Sequence, residues 1–296
     1  MDFKELEYFS TIVKCGNLTH AARQLYVSQP TLSKFLQKLE EDLGLVLFQR
    51  GSRRLKLTYA GQRYYAHVER ILSQKREMDA EMTDILRSDR GFLYFGIPPF
   101  RCSFSLPKVL PIFHKEFPQV QFRIVEAPSA VLDQKLLNGE IDLAFYMSFE
   151  RITGLSYQVM HSDKMYAILS KGHPLEAKAA QIGEFSLEWL AGQTLLLQNR
   201  TQRQGQYILR EQEKRHIQPA EILESSNIRA AAALAANGYG IGFLSGELLE
   251  HLELNIPFGA YPLQNCALHI ESVAAWRTGD YLPRYTQAFI KLMEQV

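Results

Sequence analysis

The chain has 296 residues, enough for roughly two or three domains of ordinary size. Hydrophobic residues make up 46% and charged residues 22%, a balance that excludes a disordered chain. With 33 basic against 32 acidic residues, the molecule is neither polybasic nor polyacidic, a balance that still permits a local basic patch.

Up to about residue 90 the pattern is nearly all helical, with apolar residues recurring at steps of three and four. Leu6, Phe9, Ile12 and Val13 form a first stripe, Leu18, Ala21, Ala22 and Leu25 a second, and Leu32, Phe35, Leu36 and Leu39 a third. Leu55-Lys56-Leu57 is strand-like and follows the basic run Arg50-Gly51-Ser52-Arg53-Arg54. Residues 58–88 then form one long, mostly polar helical pattern that needs a partner helix for stability. From residue 91 the chain reads as α/β. Strands are predicted over Leu93–Ile97, Val120–Val125, Leu143–Met147, Met165–Leu169, Thr194–Leu197, Ile241–Leu244 and Ala267–Ala275. Helices fall over 106–116, 129–138, 203–215, 227–237 and 281–294. The alternation implies parallel sheets with helices on both faces. About 205 residues is generous for one such sheet, which favours two lobes.

Three short helices followed by a basic hairpin are the layout of a winged helix-turn-helix, whose second motif helix enters the major groove of DNA. Asn17 is a competent N-cap for the first motif helix, and the small pair Ala21–Ala22 lets the two motif helices cross closely. Tyr26-Val27-Ser28 is the turn. Ser28 caps the next helix, with Gln29, Pro30 and Thr31 in its unpaired first turn. That helix buries its apolar stripe and presents Gln29, Ser33, Lys34, Gln37 and Lys38, side chains suited to base edges and phosphates. Arg50, Arg53, Arg54 and Lys56 suit phosphates or a narrow minor groove. Between Arg23 and Arg63 there are eight basic residues against three acids, a local excess of five positive charges.

The segment GNLTHAARQLYVSQPTLSKFLQKLEEDLGLVLFQRGSRRLKLTYAG resembles the N-terminal signature of LysR-type transcriptional regulators, with Leu39-Glu40, Leu43-Gly44, Leu47-Phe48, Arg50, Leu57-Thr58 and Ala60-Gly61 in place. The likeness is dense over 1–65 and looser beyond, where NGEIDLAF (Asn138–Phe145) and AANGYGIGFL (Ala235–Leu244) are also family-like. It implies a multidomain α+β protein: a winged helix-turn-helix domain over 1–58, a linker and dimerisation helix over 59–90, and a two-lobed effector domain over 91–296. That last domain would resemble periplasmic solute-binding proteins, with lobe I at 91–162 plus 267–296 and lobe II at 163–266. The resemblance implies double-stranded promoter DNA and a small-molecule effector as partners, with a homodimer joined through the linker helix and often a tetramer. It implies recognition by Gln29, Pro30, Ser33 and residue 34, with Arg53 in the minor groove. Lys34 stands where the family commonly has Arg, and lacks the bidentate fork.

In open α/β sheets ligands sit beyond the carboxyl ends of strands, at helix N-termini. Four segments satisfy that rule: Pro98–Ser103, Ala127–Ser129, Asn199–Thr201 and Ser226–Asn227. Ser129 and Asn227 match positions that line the family's effector pocket. The expectation is an anionic effector balanced by Arg101 or Arg200, with Phe100 as an apolar wall and Cys102, Ser129, Asn199 and Asn227 alongside. Cys102 would be redox-sensitive only if Arg101 lowered its pKa.

The three cysteines (15, 102, 266) are too few and scattered for a disulfide framework or a Cys-rich zinc site. Together with an N-terminus lacking a secretory pattern, they point to the cytoplasm. No run approaches ~18 apolar residues, so no membrane partner is expected. Gly238-Tyr239-Gly240-Ile241-Gly242 leads from helix to strand, the reverse of a phosphate cradle. No metal-ligand spacing, cofactor motif or catalytic constellation is recognisable, so neither an enzyme nor a metal site is expected. A solute-binding module whose N-terminal helices serve only dimerisation is the alternative, but it leaves the basic hairpin and the polar helix face unexplained.

Overall fold

The computed structural model describes residues 2–49, 55–86, 90–265 and 270–296. The N-terminal part is helical: α1 (Phe3–Cys15), α2 (Leu18–Gln24), α3 (Gln29–Leu43) and the long α4 (Tyr59–Ile85). Local chemistry sets their starts. Asp2 and Glu5 form a capping box on α1, Asn17 accepts from the amides of Thr19 and His20, and Ser28 accepts from the amide of Thr31. Leu6, Phe9 and Ile12 of α1 pack with Ala21, Ala22, Leu32 and Leu36 beneath Val68 and Leu72 of α4, so one small core joins all four helices.

The stem of the hairpin is present. Phe48 bridges Leu57 in antiparallel fashion, and Gln49 N–H donates to Lys56 O at 2.8 Å. Glu40 closes the turn from α3 into this stem, one of its carboxylate oxygens accepting from the amides of Leu47 (2.6 Å) and Phe48 (3.1 Å). A Cβ at Gly61 would stand 2.1 Å from Leu47 O, so only glycine lets α4 lie on the stem. Arg50, Arg53 and Arg54, at the tip, lie outside the described residues, as does Cys266.

The remainder forms two mixed five-stranded sheets. The first lobe holds β1 (Arg90–Ile97), α5 (Pro99–Glu116), β2 (Gln119–Glu126), α6 (Ser129–Asn138), β3 (Leu143–Ser148) and β4 (Leu155–Asp163). The second holds β5 (Met165–Ser170), α7 (Pro174–Ile182), β6 (Thr194–Gln198), α8 (Arg203–Lys214), β7 (Glu221–Ser225), α9 (Ile228–Ala236), β8 (Ile241–Ser245), α10 (Gly246–Glu250) and β9 (Phe258–Pro262). The chain then returns to the first lobe with β10 (Ile270–Arg277) and α11 (Arg284–Met293). Strand order is β2-β1-β3-β10-β4 in one sheet and β7-β6-β8-β5-β9 in the other.

The sheets are not purely parallel, which corrects the sequence expectation. β10 runs antiparallel to β3 and β4, and β5 runs antiparallel to β8 and β9. The reason is topological, since a chain that crosses between lobes re-enters each sheet without a covering helix. α5 also starts earlier than its periodicity suggests and runs through Pro107 and Pro111. Ser105 Oγ donates back to Arg101 O at 2.8 Å in the turn before Pro107.

Glu69 of α4 is fully buried and accepts from Ser10 Oγ and from Lys14 Nζ of α1 at 3.0 Å. Burial pushes the Lys14 ammonium below its ordinary pKa, against the raising effect of Glu69. Glu69→Ala orphans both partners and should lower the stability of the helical domain by about 3 kcal/mol, read as a drop in the first thermal unfolding transition. A transition unmoved within error would contradict this role.

Candidate functional site: a DNA-reading face and an interlobe cleft

The polar face of α3 is open. Gln29, Pro30, Thr31, Ser33, Lys34, Gln37 and Lys38 are all exposed, while Leu32 and Leu36 are buried. Ser28 and Thr31 hydroxyls are 2.7 Å apart, so the helix start is locally closed. Gln37 donates to Glu41 at 2.8 Å. Gln29 and Lys34 therefore stand on a helix whose orientation is fixed by its opposite, apolar face.

The second site is a cavity of about 420 Å³ between the two lobes, within the size range of small-molecule pockets. Its walls are largely apolar, with Pro98, Phe100 and Pro128 on one side and Ile228 and Leu248 on the other. Four helices begin on its surface: α5 at Pro99, α6 at Ser129, α8 at Arg203 and α9 at Ile228. Their N-terminal amides carry partial positive charge. Arg101, Arg203 and Arg229 contribute to the wall, and no carboxylate lines it among the described residues.

The arginines are not equivalent. Arg203, 5% exposed, donates to Asp133 and Glu150 of the first lobe and to Gln206 at 3.0 Å. Asp133 also accepts from the Tyr146 hydroxyl. Burial pushes the Asp133 carboxyl above its usual range, while Tyr146 and Arg203 pull it down. On the other side Arg101, 2% exposed, donates to Ser272, and its Nε lies 3.2 Å from Glu247 of the second lobe. Burial lowers the Arg101 pKa and Glu247 opposes that shift. Glu247 lies 3.4 Å from His161 as well. Two interlobe clasps, one centred on Arg203 and one on Arg101, thus flank the cavity.

Several sequence-predicted residues sit elsewhere than expected. Arg101 does line the cavity; its Nη1 donates to Ser272 and its Nε lies 3.2 Å from Glu247, while its buried Nη2 makes no hydrogen bond among the described residues. Arg200 points outward, its side chain 74% exposed and paired with Glu224 at 3.3 Å, and it is not part of the cavity wall. Asn199 turns back into its own loop, accepting from Thr201 N–H at 3.2 Å. Cys102 is half-buried against the core of the first lobe, off the wall; burial, with Glu126 nearby, raises its thiol pKa, the opposite of activation. Phe100, Arg101, Ser129 and Asn227 are on the wall.

Arg203, Gln202, Tyr146 and Arg229 are wall residues that the sequence reading misses. The turn Asn199–Gln202, closed by Gln202 N–H to Asn199 O at 2.9 Å, separates the strand end from the helix start. The cleft residue therefore falls at 203 rather than 200. The usable signal is the predicted helix start itself, at 203.

Comparison with known proteins agrees with this architecture. Residues 3–62 match the family described as bacterial regulatory helix-turn-helix protein, lysR family, and residues 87–296 match the LysR substrate binding domain. The chain belongs to the LysR family of DNA-binding transcriptional regulators, which carry an effector-binding domain behind a helix-turn-helix. Among relatives, HTH-type transcriptional regulator YtlI of Bacillus subtilis (strain 168) is 33% identical over 64% of this chain and 61% of its own. HTH-type transcriptional regulator BsdA of the same organism is 26% identical over 99% of this chain and 100% of its own. Of solved structures, a full-length OxyR variant from Pseudomonas aeruginosa superposes with a TM-score of 0.72 at 23% identity, covering 100% of this chain and 94% of that one. Full-length CbnR complexed with its target DNA superposes at 0.61 and 22% identity, covering 100% and 99%.

Proposed function

We propose that this regulator reads promoter DNA with α3 and the hairpin, and that its effector is a small organic anion with an apolar body held between the lobes. The observation that carries the effector reading is the cavity wall: four helix N-termini and three arginines, with no carboxylate among its described residues. The apolar walls suit an aromatic or branched body, and Ser129 and Asn227 are placed to meet the anionic head. Both buried arginines stand beside carboxylates, Arg203 with Asp133 and Glu150 and Arg101 with Glu247, although the Arg101 Nη2 makes no hydrogen bond among the described residues. The net field at the head therefore comes mainly from the helix ends and from the exposed Arg229, whose guanidinium donates to Glu253 O at 2.9 Å.

On the DNA side, Gln29 takes a base edge, Pro30 and Thr31 pack at the groove wall, and Ser33, Lys34 and Lys38 serve bases or phosphates. Arg50, Arg53 and Arg54 hold the adjacent minor groove or backbone. The molecule works as a homodimer through α4. That helix leaves Ile71, Met78 and Met82 exposed as large apolar residues, with Leu86 at its cap, a stripe a second copy would cover. Two such dimers make a tetramer on DNA in the cytoplasm, and an effector that shifts the lobes changes the spacing of the reading heads. The domain division is 1–58, 59–90 and 91–296, with lobe I at 91–162 and 267–296 and lobe II at 163–266.

Two measurements test this. Gln29→Ala should cost about 1–3 kcal/mol on a cognate inverted repeat and relax sequence preference at one base position, measured by competition binding. Unchanged affinity and preference would contradict the docking geometry. Saturating sodium benzoate should raise the melting transition of the full chain by roughly 5–10 °C, whereas the neutral analogue benzamide should not. Equal stabilisation by benzamide, or none by any carboxylate in a panel of aromatic, branched and dicarboxylic acids, would overturn the anion reading.

A further inference from the structure

Helix α6 has its two ends in different company. At its N-terminus Ser129 is on the cavity wall, and its hydroxyl accepts from Arg203 N–H at 3.3 Å. Ala130 N–H donates to Thr201 O at 3.3 Å, and Asp133, one turn on, holds the Arg203 guanidinium. These partners all belong to the second lobe.

The C-terminal end faces the linker helix. Arg277 Nη1 donates to Leu136 O at 2.8 Å, and its Nη2 donates to Ser73 Oγ of α4 at 2.6 Å. Arg76 of α4 donates to Gly139 O at 2.7 Å and stacks on Tyr94. Gly139 ends α6 at φ +78°, and a Cβ there would stand 3.0 Å from Ser73 Cβ and 3.1 Å from Glu69 O. The helix end therefore abuts α4 at the level of Glu69, the carboxylate that grips α1 of the DNA-binding domain. Leu132 and Leu136, between the two ends, are fully buried, and ten helical residues span about 15 Å.

We propose that α6 is the coupling rod of this protein: a rigid helix that carries a change in the interlobe cleft to the linker helix of the same chain. The inference rests on the cleft being the effector site. An anion meeting Ser129, or a shift of Arg203 and Thr201 with the second lobe, changes the grip on the helix start. The packed body transmits the displacement, because its buried leucines leave no slack. At the far end the Gly139–Ser73 approach and the Arg76 and Arg277 hydrogen bonds convert it into a new angle of α4. Coupling of this kind is reciprocal, so disturbing either end must be felt at the other.

Hydrogen–deuterium exchange on the full-length chain tests this without any effector. Asp133→Asn should raise exchange in peptides covering residues 69–85 at least threefold. In the reverse direction, Ser73→Ala should raise it to a similar degree in peptides covering 129–133 and 198–206. Lys75→Ala removes an exposed pair with Asp79 on the same helix and should leave those cleft peptides unchanged. If Asp133→Asn fails to fold, Arg203→Lys is read in its place with the same expectation. Changes confined to α6 and α8 in the cleft variant, or cleft peptides unmoved by Ser73→Ala, would overturn the proposal, as would an equal response to Lys75→Ala. Sodium benzoate separates the two readings. Coupled exchange with no benzoate stabilisation removes only the anion, and benzoate stabilisation with uncoupled exchange removes only the rod.

Discussion

The buried pairing of Arg203 with Asp133 is the interaction on which the arrangement of the effector domain turns. It joins the start of α8 in one lobe to the first turns of α6 in the other, with both side chains no more than 5% exposed. An ion pair so placed carries a desolvation cost that only good geometry and further hydrogen bonds offset, and Tyr146 and Glu150 provide them. The pair holds the starts of α6 and α8, one from each lobe, together beside the cavity. The opposite clasp, Arg101 with Glu247, does the same on the far side of the cavity.

The helical domain shows the same economy. Glu69 and Glu40 are both carboxylates that satisfy groups from another segment, Glu69 on α1 and Glu40 on the hairpin stem. Each turns a packing boundary into a defined angle. α4 is thereby fixed to the DNA-binding core at one end, while Arg76, Glu77 and Asp84 tie its other half to the first lobe, Glu77 accepting from Tyr281 N–H at 2.6 Å and Asp84 from Arg284 N–H at 2.8 Å. Ser73 adds a further tie, accepting from Arg277 Nη2 at 2.6 Å.

What the sequence makes legible follows from the range of each interaction. The caps at Asn17 and Ser28 and the apolar stripes of α1 to α3 are local patterns, and they stand where the pattern places them. The strands β4, β7 and β9 are not legible, and all three are edge strands. β4 and β7 are partly exposed and interrupted by polar residues, and β9 is only five residues long and carries Gly259 and Pro262, both poor strand formers. The helix α7, capped by His173, is also absent from the sequence pattern. The approach of Glu247 to Arg101 is not legible because the two are remote in sequence, and no local signal marks an arginine as buried beside a carboxylate. The cleft arginine is displaced by three residues, from 200 to 203, because a tight turn intervenes after β6. Ser129 and Asn227, which start helices directly on the cavity, need no long-range information.

The proposed effector site puts a carboxylate among the converging helix starts between the lobes. A crystal structure of the full-length protein grown with sodium benzoate tests it most directly. The carboxylate is expected beside Ser129 and Asn227, with the ring against Phe100, Pro128 and Ile228. Benzoate bound with its ring among the helix starts and its carboxylate in solvent, or bound only outside the cleft, would contradict it.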